Sequence, residues 1–289
     1  MLSLIIPTYN CMEYLDETLG SVLSGGAEGV ELILVDDGSD DGTAQKLRSM
    51  REGLPDHTKV LFCGHRGVSA TRNAGLDAAT GDLVAFMDCD DCLMDGFFEK
   101  SRMVTRQAAD LYLFGFERVE IRDSAETGRC ETVTPMTLQD RHYETVSDFA
   151  DHYIRDRNLL IYSSCNKFYR RALLDAHAIR FREDMEFGED RMFNFDYLRF
   201  CSSVLTSHLL MFRYMQRNPD SASNRQFPDY YNTIMKLHKA KTDCFTSLSK
   251  GTTPEEKEAF ITYDLDTEMK RMKERDLKRQ NEQGNCIKK

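Results

Sequence analysis

The chain has 289 residues, 30% of them charged and 41% hydrophobic, and a formal net charge of −10. That length can bury one large core or two small ones. That charge excludes broad nucleic-acid binding, which needs a basic surface. Nine cysteines, an odd and scattered set, point to a reducing compartment. The one close pair, Cys89 and Cys92, has no partner pair at zinc spacing, so buried, inert thiols are expected. The opening "MLSLIIP" is too short for a signal-peptide core and lacks a basic flank. No run of about 18 apolar residues occurs, so no membrane-spanning helix is expected. The expected location is the cytoplasm.

In chain order, Leu2 to Ile6 is a short apolar run closed by Pro7. Met12, Leu15, Leu19, Val22 and Leu23 recur at helical spacing up to Gly25-Gly26. Leu32 to Val35 is a second run, and Asp40 or Asp41 can cap a helix around Thr43 to Arg51. Val60 to Cys63 is a third run, followed by a helix near Ser69 to Ala79, and Leu83 to Met87 is a fourth. This alternation predicts an α/β fold with a mostly parallel sheet, covered by helices on both faces. Beyond it, the pattern predicts a helix over Met94 to Ala109 and one or two strands in "DLYLFGFERVEI". Residues 123–143 read as an irregular loop. Helices follow at 145–157 and 189–200, with a strand in "SSVLTSHLLMFRYM". From Asp229 the chain is helical in character. Thr253 and Pro254 mark a helix start, a capping residue with proline in the first turn.

Ligands of open α/β sheets bind beyond the carboxyl ends of the strands. Here the four ends carry "PTYN", "DDGSDDGT", "GHRGVSATRNAG" and "DCDD". Asp88, Asp90 and Asp91 lie within four residues, and carboxylates that close resist ionising together. A hard cation such as Mg²⁺ or Mn²⁺ would neutralise them. The alternative is a solvated acidic turn that caps a helix. In "VDDGSDDGT" a carboxylate could accept from a base N–H or a sugar hydroxyl, or the stretch is a turn built on Gly38 and Gly42. Arg66 and Arg72 could meet a diphosphate or steady the base, or form surface ion pairs.

The ordered set "LSLIIPTYN", "LILVDDGSDDGT" and "GVSATRNAGLDAATGDLVAFMDCDD", with the later "NKFYRRALL" and "FGEDRMFNFDYL", resembles the family 2 glycosyltransferases of GT-A fold. The match is close over the first 95 residues and moderate over about 163–200. The resemblance implies a Rossmann-like GT-A domain over 1–220. Within it, 1–110 would form the nucleotide-sugar half and 111–220 the acceptor half, with a helical region over 221–289. It implies an inverting, metal-dependent transfer from a nucleotide-sugar, UDP-linked, to an acceptor hydroxyl on a glycan or a lipid-linked glycan. Pro7, Thr8 and Tyr9 would lie against the base, Asp37 at the base edge with Asp36 beside it, and Arg72 near the nucleotide. Asp88, Asp90 and Asp91 match the DxD region. There Asp90 would face the ribose and the metal, and Asp91 would be a metal ligand. Asp190 would be the catalytic base, with Glu189 as its neighbour. From pattern alone these two read first as helix-start charges favoured by the dipole, and the resemblance reverses that reading.

A proline common in the family a few residues after the metal motif is replaced here by Asp95-Gly96. The Q-x-x-R-W motif of processive synthases is absent, as is any tryptophan, which favours transfer of a single sugar. Lys167 could reach a diphosphate or an anionic acceptor, or be structural. His65, His142 and His208 read as ordinary histidines. The basic stretch Lys270 to Arg279 reads as a solvated helix, with peripheral contact at the inner face of a membrane as the other reading. Rival functions fare worse. A receiver module has its paired aspartates after the first strand, a nucleotidylyltransferase needs a glycine-rich basic loop there, and no P-loop occurs. A catalytically inactive nucleotide-binding or scaffold protein of the same fold is the remaining alternative.

Overall fold

Leu2 to Thr8 has no polar alternation, and all seven residues are buried. A run with no solvent face becomes an interior strand. In the computed structural model, which describes residues 1–25, 29–124, 128–157, 159–217, 227 and 229–286, this strand, β1, lies between two parallel neighbours. They are β2 (Val30–Asp36) and β4 (Leu83–Phe86), and β3 (Thr58–Phe62) is parallel to β2 on the outside. The helices α1 (Leu15–Leu23), α2 (Thr43–Met50) and α3 (Val68–Ala78) are the connections. Helix α3 packs closely on β1, because a Cβ at Gly75 would run into Cγ2 of Ile5.

After β4 come β5 (Cys92–Leu93), α4 (Phe97–Val104), β6 (Leu111–Ser124), β7 (Gly128–Met136), β8 (Arg141–Tyr143) and α5 (Val146–Asp156). Then follow β9 (Lys167–Arg170), α6 (Arg171–Ala176), α7 (Glu189–Leu198) and β10 (Val204–Gln216). The sheet order is β3-β2-β1-β4-β9-β6-β10-β5, with β7 beside β6 and β8 beside β10. Strand β9 is antiparallel to both β4 and β6, so β6 points the same way as β1 to β4, and β10 is parallel to β6. The carboxyl ends of β1 to β4, β6 and β10 therefore share one edge, together with the start of β9.

The expected irregular loop at 123–143 is largely regular. Strands β6 and β7 form an antiparallel hairpin with Val119 opposite Val133 and Ser124 opposite Gly128, and β8 pairs with β10. Residues 125–127 lie outside the described residues. Strand β7 is an edge strand, exposed along most of its described length. It carries no apolar run, and its Pro135 is tolerated at an edge. Its regularity comes from pairing, which composition does not reveal. Helix α4 is shorter than the predicted 94–109, because Cys92-Leu93 pairs with β10 and Met94 N–H donates to Met211 O at 3.0 Å.

The chain divides into two units, Met1–Thr145 with Leu159–Arg225, and Val146–Asn158 with Gln226–Lys289. Helix α5, assigned from sequence to the acceptor half, groups with the C-terminal helices. The second unit consists of α5, α8 (Tyr230–Leu248) and α9 (Pro254–Cys286). The Tyr153 ring stacks on Phe245 at 3.9 Å, and Asp264 accepts from His238 Nδ1 at 2.7 Å and from Lys241 Nζ. Thr253 and Glu256 form a reciprocal capping box: Glu256 N–H donates to Thr253 Oγ1 at 3.2 Å, and Thr253 N–H to Glu256 Oε2 at 2.8 Å. The stretch 270–279 lies within α9, and the side chains of 275–279 are outside the described residues. No helix among the described residues is long and apolar enough to cross a membrane. None of the eight cysteines whose side chains are described is in a disulfide.

Glu31 on β2 is buried at the sheet edge opposite the strand carboxyl ends. Its oxygens accept from Ser3 Oγ (2.5 Å), Thr80 N (2.7 Å) and Thr80 Oγ1 (2.8 Å), and Lys59 Nζ lies at 2.6 Å. Burial alone would raise its pKa. The bonds from Lys59, Ser3 and Thr80 outweigh burial and lower it to about 2. A depressed carboxyl pKa stabilises the fold above the unfolded value and loses that contribution as pH falls through the folded value. We expect Glu31→Gln to cost about 2 to 3 kcal/mol at pH 7. Its deficit should vanish between about pH 4.5 and pH 2 in urea melts. A pH-independent difference from wild type would show that the carboxylate bonds do not set it.

Candidate active site

The shared carboxyl edge gathers five groups of side chains. At the end of β1, Pro7 and Thr8 are buried in the sheet, and Thr8 Oγ1 donates to Val35 O at 3.2 Å. Of the three residues expected against a base, only Tyr9 presents its ring, 45% exposed. That ring stacks on His65 with centroids 4.4 Å apart and an interplanar angle of 18°.

Past β2, Asp36 Oδ2 accepts from Gly38 N–H and Ser39 N–H, both at 3.1 Å, and so builds the turn. Asp37 is buried and spends both oxygens on the loop after β3. Oδ1 accepts from Arg66 N–H at 2.9 Å. Oδ2 accepts from Gly67 N–H at 2.9 Å and lies 3.1 Å from His65 Nδ1. Asp37 thus fixes the loop that carries His65. The sequence reading treated His65 as ordinary. The signal that could have found it is its place in "GHRG", directly beyond β3 at the ligand edge. Arg66 pairs with Glu183 at 2.8 Å on the surface.

The acidic turn after β4 is clamped from below. Thr18 Oγ1 donates to Cys89 O (2.8 Å) and Asp91 O (2.9 Å). The three carboxylates then diverge. Asp91 is turned inward, 4% exposed, and its Oδ1 accepts from Met215 N–H of β10 at 2.8 Å. The expected ligand role for Asp91 therefore competes with a structural bond that ties the turn to β10. Asp88 Oδ1 accepts from Arg72 Nη2 at 2.8 Å. Asp90 is half-buried and takes no hydrogen bond from another described residue. Burial, and then the Asp88 charge, push its pKa up to about 6, and burial with Asp88 and Asp90 raises that of Asp91.

Arg217, at the end of β10, was not anticipated. Its guanidinium lies 4.8 Å over the Tyr14 ring and 2.7 Å from Glu17, and its charge lowers the pKa of Asp90. Its position depends on the sheet order, which places β10 beside the acidic turn.

Arg72 joins the acidic turn to the start of α7. Only 3% exposed, it donates from Nη2 to Asp88 and from Nη1 to Asp190 Oδ1 (2.8 Å) and Glu189 Oε1 (3.0 Å). Burial would lower its pKa. Asp190, Asp88 and Glu189 outweigh burial and raise it, so the guanidinium stays charged. Glu189 is shifted up by burial and by Asp190. Two features deliver α7 to Arg72. Asn73 of α3 exchanges two bonds with Phe181, at 2.9 and 2.8 Å, and Gly188 enters the helix at φ 79°, a left-handed conformation that favours glycine. Asp190 also accepts from Ser164, by Oγ at 3.1 Å and N–H at 3.3 Å. Lys167, read from sequence as reaching a diphosphate or as structural, is fully buried and donates to Leu160 O (2.9 Å), Ser163 O and Asn166 Oδ1 (2.7 Å). It faces no open surface.

The donor set of the turn is all oxygen, and its open oxygens belong to Asp88 and Asp90, which suits a hard divalent ion completed by a ligand's phosphates. By themselves the described residues gather no group of three or more His, Cys, Asp or Glu able to hold a metal.

The family model for glycosyl transferase family 2 matches residues 3–177. The chain belongs to glycosyl transferase family 2. Among its relatives, EpsH of Bacillus subtilis (strain 168) is 29% identical over 206 residues, 70% of this chain and 57% of EpsH. The poly(ribitol-phosphate) beta-N-acetylglucosaminyltransferase TarS of Staphylococcus aureus (strain Mu50) is 27% identical over 241 residues, 81% of this chain. This chain thus spans little more than half of EpsH, and 39% of TarS. The crystal structure of S. aureus TarS 1–349 in complex with UDP-GlcNAc superposes with TM-score 0.65 and 22% identity, covering 91% of this chain and 71% of that one. The mannosyltransferase PcManGT of Pyrobaculum calidifontis, in complex with GDP-Man and Mn²⁺, gives TM-score 0.53 at 15% identity, covering 90% and 68%. The fold of this family 2 member is accordingly GT-A.

Proposed function

We propose that the protein moves one sugar from a UDP-linked donor to an acceptor hydroxyl with inversion at the anomeric carbon, in the assembly of a cell-surface polysaccharide. The observation that carries this reading is the Arg72 bridge. One buried guanidinium binds a carboxylate of the acidic turn and both carboxylates at the start of α7. Donor-side and acceptor-side chemistry thereby meet at one point.

Asp190 takes the proton of the acceptor hydroxyl as its oxygen attacks the anomeric carbon. The bond to the diphosphate breaks with its electron pair going to the diphosphate oxygen. Arg72, which Glu189 shares, holds Asp190 in place. Tyr9 and His65 offer ring surfaces to the base, with Asp37 and Asp36 fixing the loops beneath them. Asp90, with Asp88 and with Asp91 behind it, would hold Mg²⁺ or Mn²⁺, which would supply positive charge to the departing diphosphate. UDP is favoured because the TarS structure, which superposes better than the GDP-mannose enzyme, holds UDP-GlcNAc. The acceptor is a glycan or lipid-linked glycan presented at the cytoplasmic face of a membrane.

Calorimetric titration of UDP, GDP, CDP and TDP, each with and without Mn²⁺, tests this. We expect UDP to bind, more tightly by about tenfold or more with Mn²⁺, and Asp90→Ala to abolish that gain. No binding of any nucleotide to folded protein would return the reading to an inactive scaffold.

A further inference from the structure

We propose that Ser164 is a positioning residue that aims the Asp190 carboxylate, and that Lys167 and Asn194 hold Ser164 in place. This rests on the reading of Asp190 as the base. Ser164 is fully buried, yet both of its donors go to one side chain that is 23% exposed: Oγ to Asp190 Oδ1 and N–H to Asp190 Oδ2. Arg72 approaches the same carboxylate through Oδ1. Donors on both oxygens fix the rotation of the carboxyl plane, which a single ion pair does not.

The turn that carries Ser164 is held at every step. Leu160 O accepts from Lys167 Nζ and from Asn166 Nδ2. Asn194 Nδ2 donates to Ile161 O (2.8 Å), Tyr162 O (3.1 Å) and Ser163 O (3.1 Å), and Ser163 O also accepts from Lys167. The single proton of Tyr169 OH is shared between Asn194 Oδ1 at 2.6 Å and Ser164 O at 3.3 Å. Five consecutive carbonyls are thus claimed by buried side chains. Asn194 stands one helical turn beyond Asp190 on α7, so the helix that receives the donors of the turn also grips the turn. Lys167 makes no ion pair among the described residues, and burial lowers its pKa to about 7. A buried ammonium that binds only carbonyls and an amide is costly if its sole role is packing. That cost is understandable where it fixes a catalytic geometry.

The experiment compares Ser164→Ala, Ser164→Thr and Lys167→Met with Asp190→Ala. UDP release from UDP-GlcNAc, with water or a glycan as acceptor, is read beside the calorimetric Kd for UDP with Mn²⁺. We expect Ser164→Ala to lower kcat by about tenfold or more with UDP affinity within about twofold of wild type. Ser164→Thr should restore most of the rate, and Lys167→Met should follow the Ala variant. If Lys167→Met does not fold, the serine pair decides. Ser164→Ala at wild-type rate beside an inactive Asp190→Ala overturns the positioning role and leaves the base assignment standing. Loss of UDP affinity in step with rate overturns it too, because that marks a merely structural residue. Asp190→Ala at wild-type rate, or a wild type that turns over no nucleotide-sugar, overturns the base assignment and this role with it.

Discussion

Replacing Asp190 by asparagine or alanine is expected to reduce sugar transfer by at least about a hundredfold, the lower range for loss of a general base. UDP binding should stay within about twofold of wild type, because Asp190 bonds to Arg72 and Ser164 and not to the Tyr9–His65 stack proposed to meet the base. Asparagine is the sharper probe. It keeps an acceptor for Arg72 Nη1 and Ser164 Oγ but cannot take a proton. Glu189 lies beside it and shares Arg72. Glu189→Gln separates the two carboxylates, and a partial loss is expected there. If Asp190→Asn turned over at the wild-type rate while Glu189→Gln was inactive, the base would be Glu189. Full activity in both variants would remove the start of α7 from the chemistry.

Arg72→Met should have the largest effect on both stability and turnover. The side chain is 4% exposed and contacts three carboxylates. Removing one partner of a buried ion cluster costs about 3 to 5 kcal/mol, because the charges left behind lose compensation without regaining water. The urea midpoint should fall with the slope unchanged, the mark of lost stability without a change in the surface exposed on unfolding. Turnover should fall at least as far as in Asp190→Asn, because Asp88 and Asp190 lose their common anchor. Arg72→Lys should recover stability only in part, since an ammonium is a point charge that cannot fork to three acceptors in fixed directions. A midpoint within about 1 kcal/mol of wild type for Arg72→Met would mean that the cluster is solvated and that the bridge does not hold the site together.

Much of this was legible in the sequence for a simple reason. Buried parallel strands have to be apolar, and the ligand edge has to begin where the apolar runs stop. "LSLIIP", "LILV" and "LVAFM" gave β1, β2 and β4 within a residue or two, and the polar ends at Asp36 and Asp88 are where the structure gathers charge, whereas Asp190, at the start of α7, was indicated only by the family resemblance. The rest depends on long-range pairing. Nothing in "NKFYRR" announces that β9 inserts antiparallel between β4 and β6. Strand β7 carries no apolar run to betray its hairpin with β6. Side-chain direction within a turn is equally hidden. Asp90 and Asp91 are adjacent and chemically identical, yet one stands half-buried with no hydrogen bond from another described residue and the other binds β10. His65 and Arg217 join the site only because the strands they end reach the same edge.

The place of β9 bears on how the chain must be assembled. Strand β4 is complete by Phe86, but its second edge is paired by Tyr169 and Arg170. During synthesis β1 to β4 therefore emerge with an unpaired interior strand. That strand waits while more than eighty further residues leave the ribosome. An open, apolar edge of that kind is a template for pairing with other chains. The segment between β4 and β9 is thus under pressure for prompt delivery of β9.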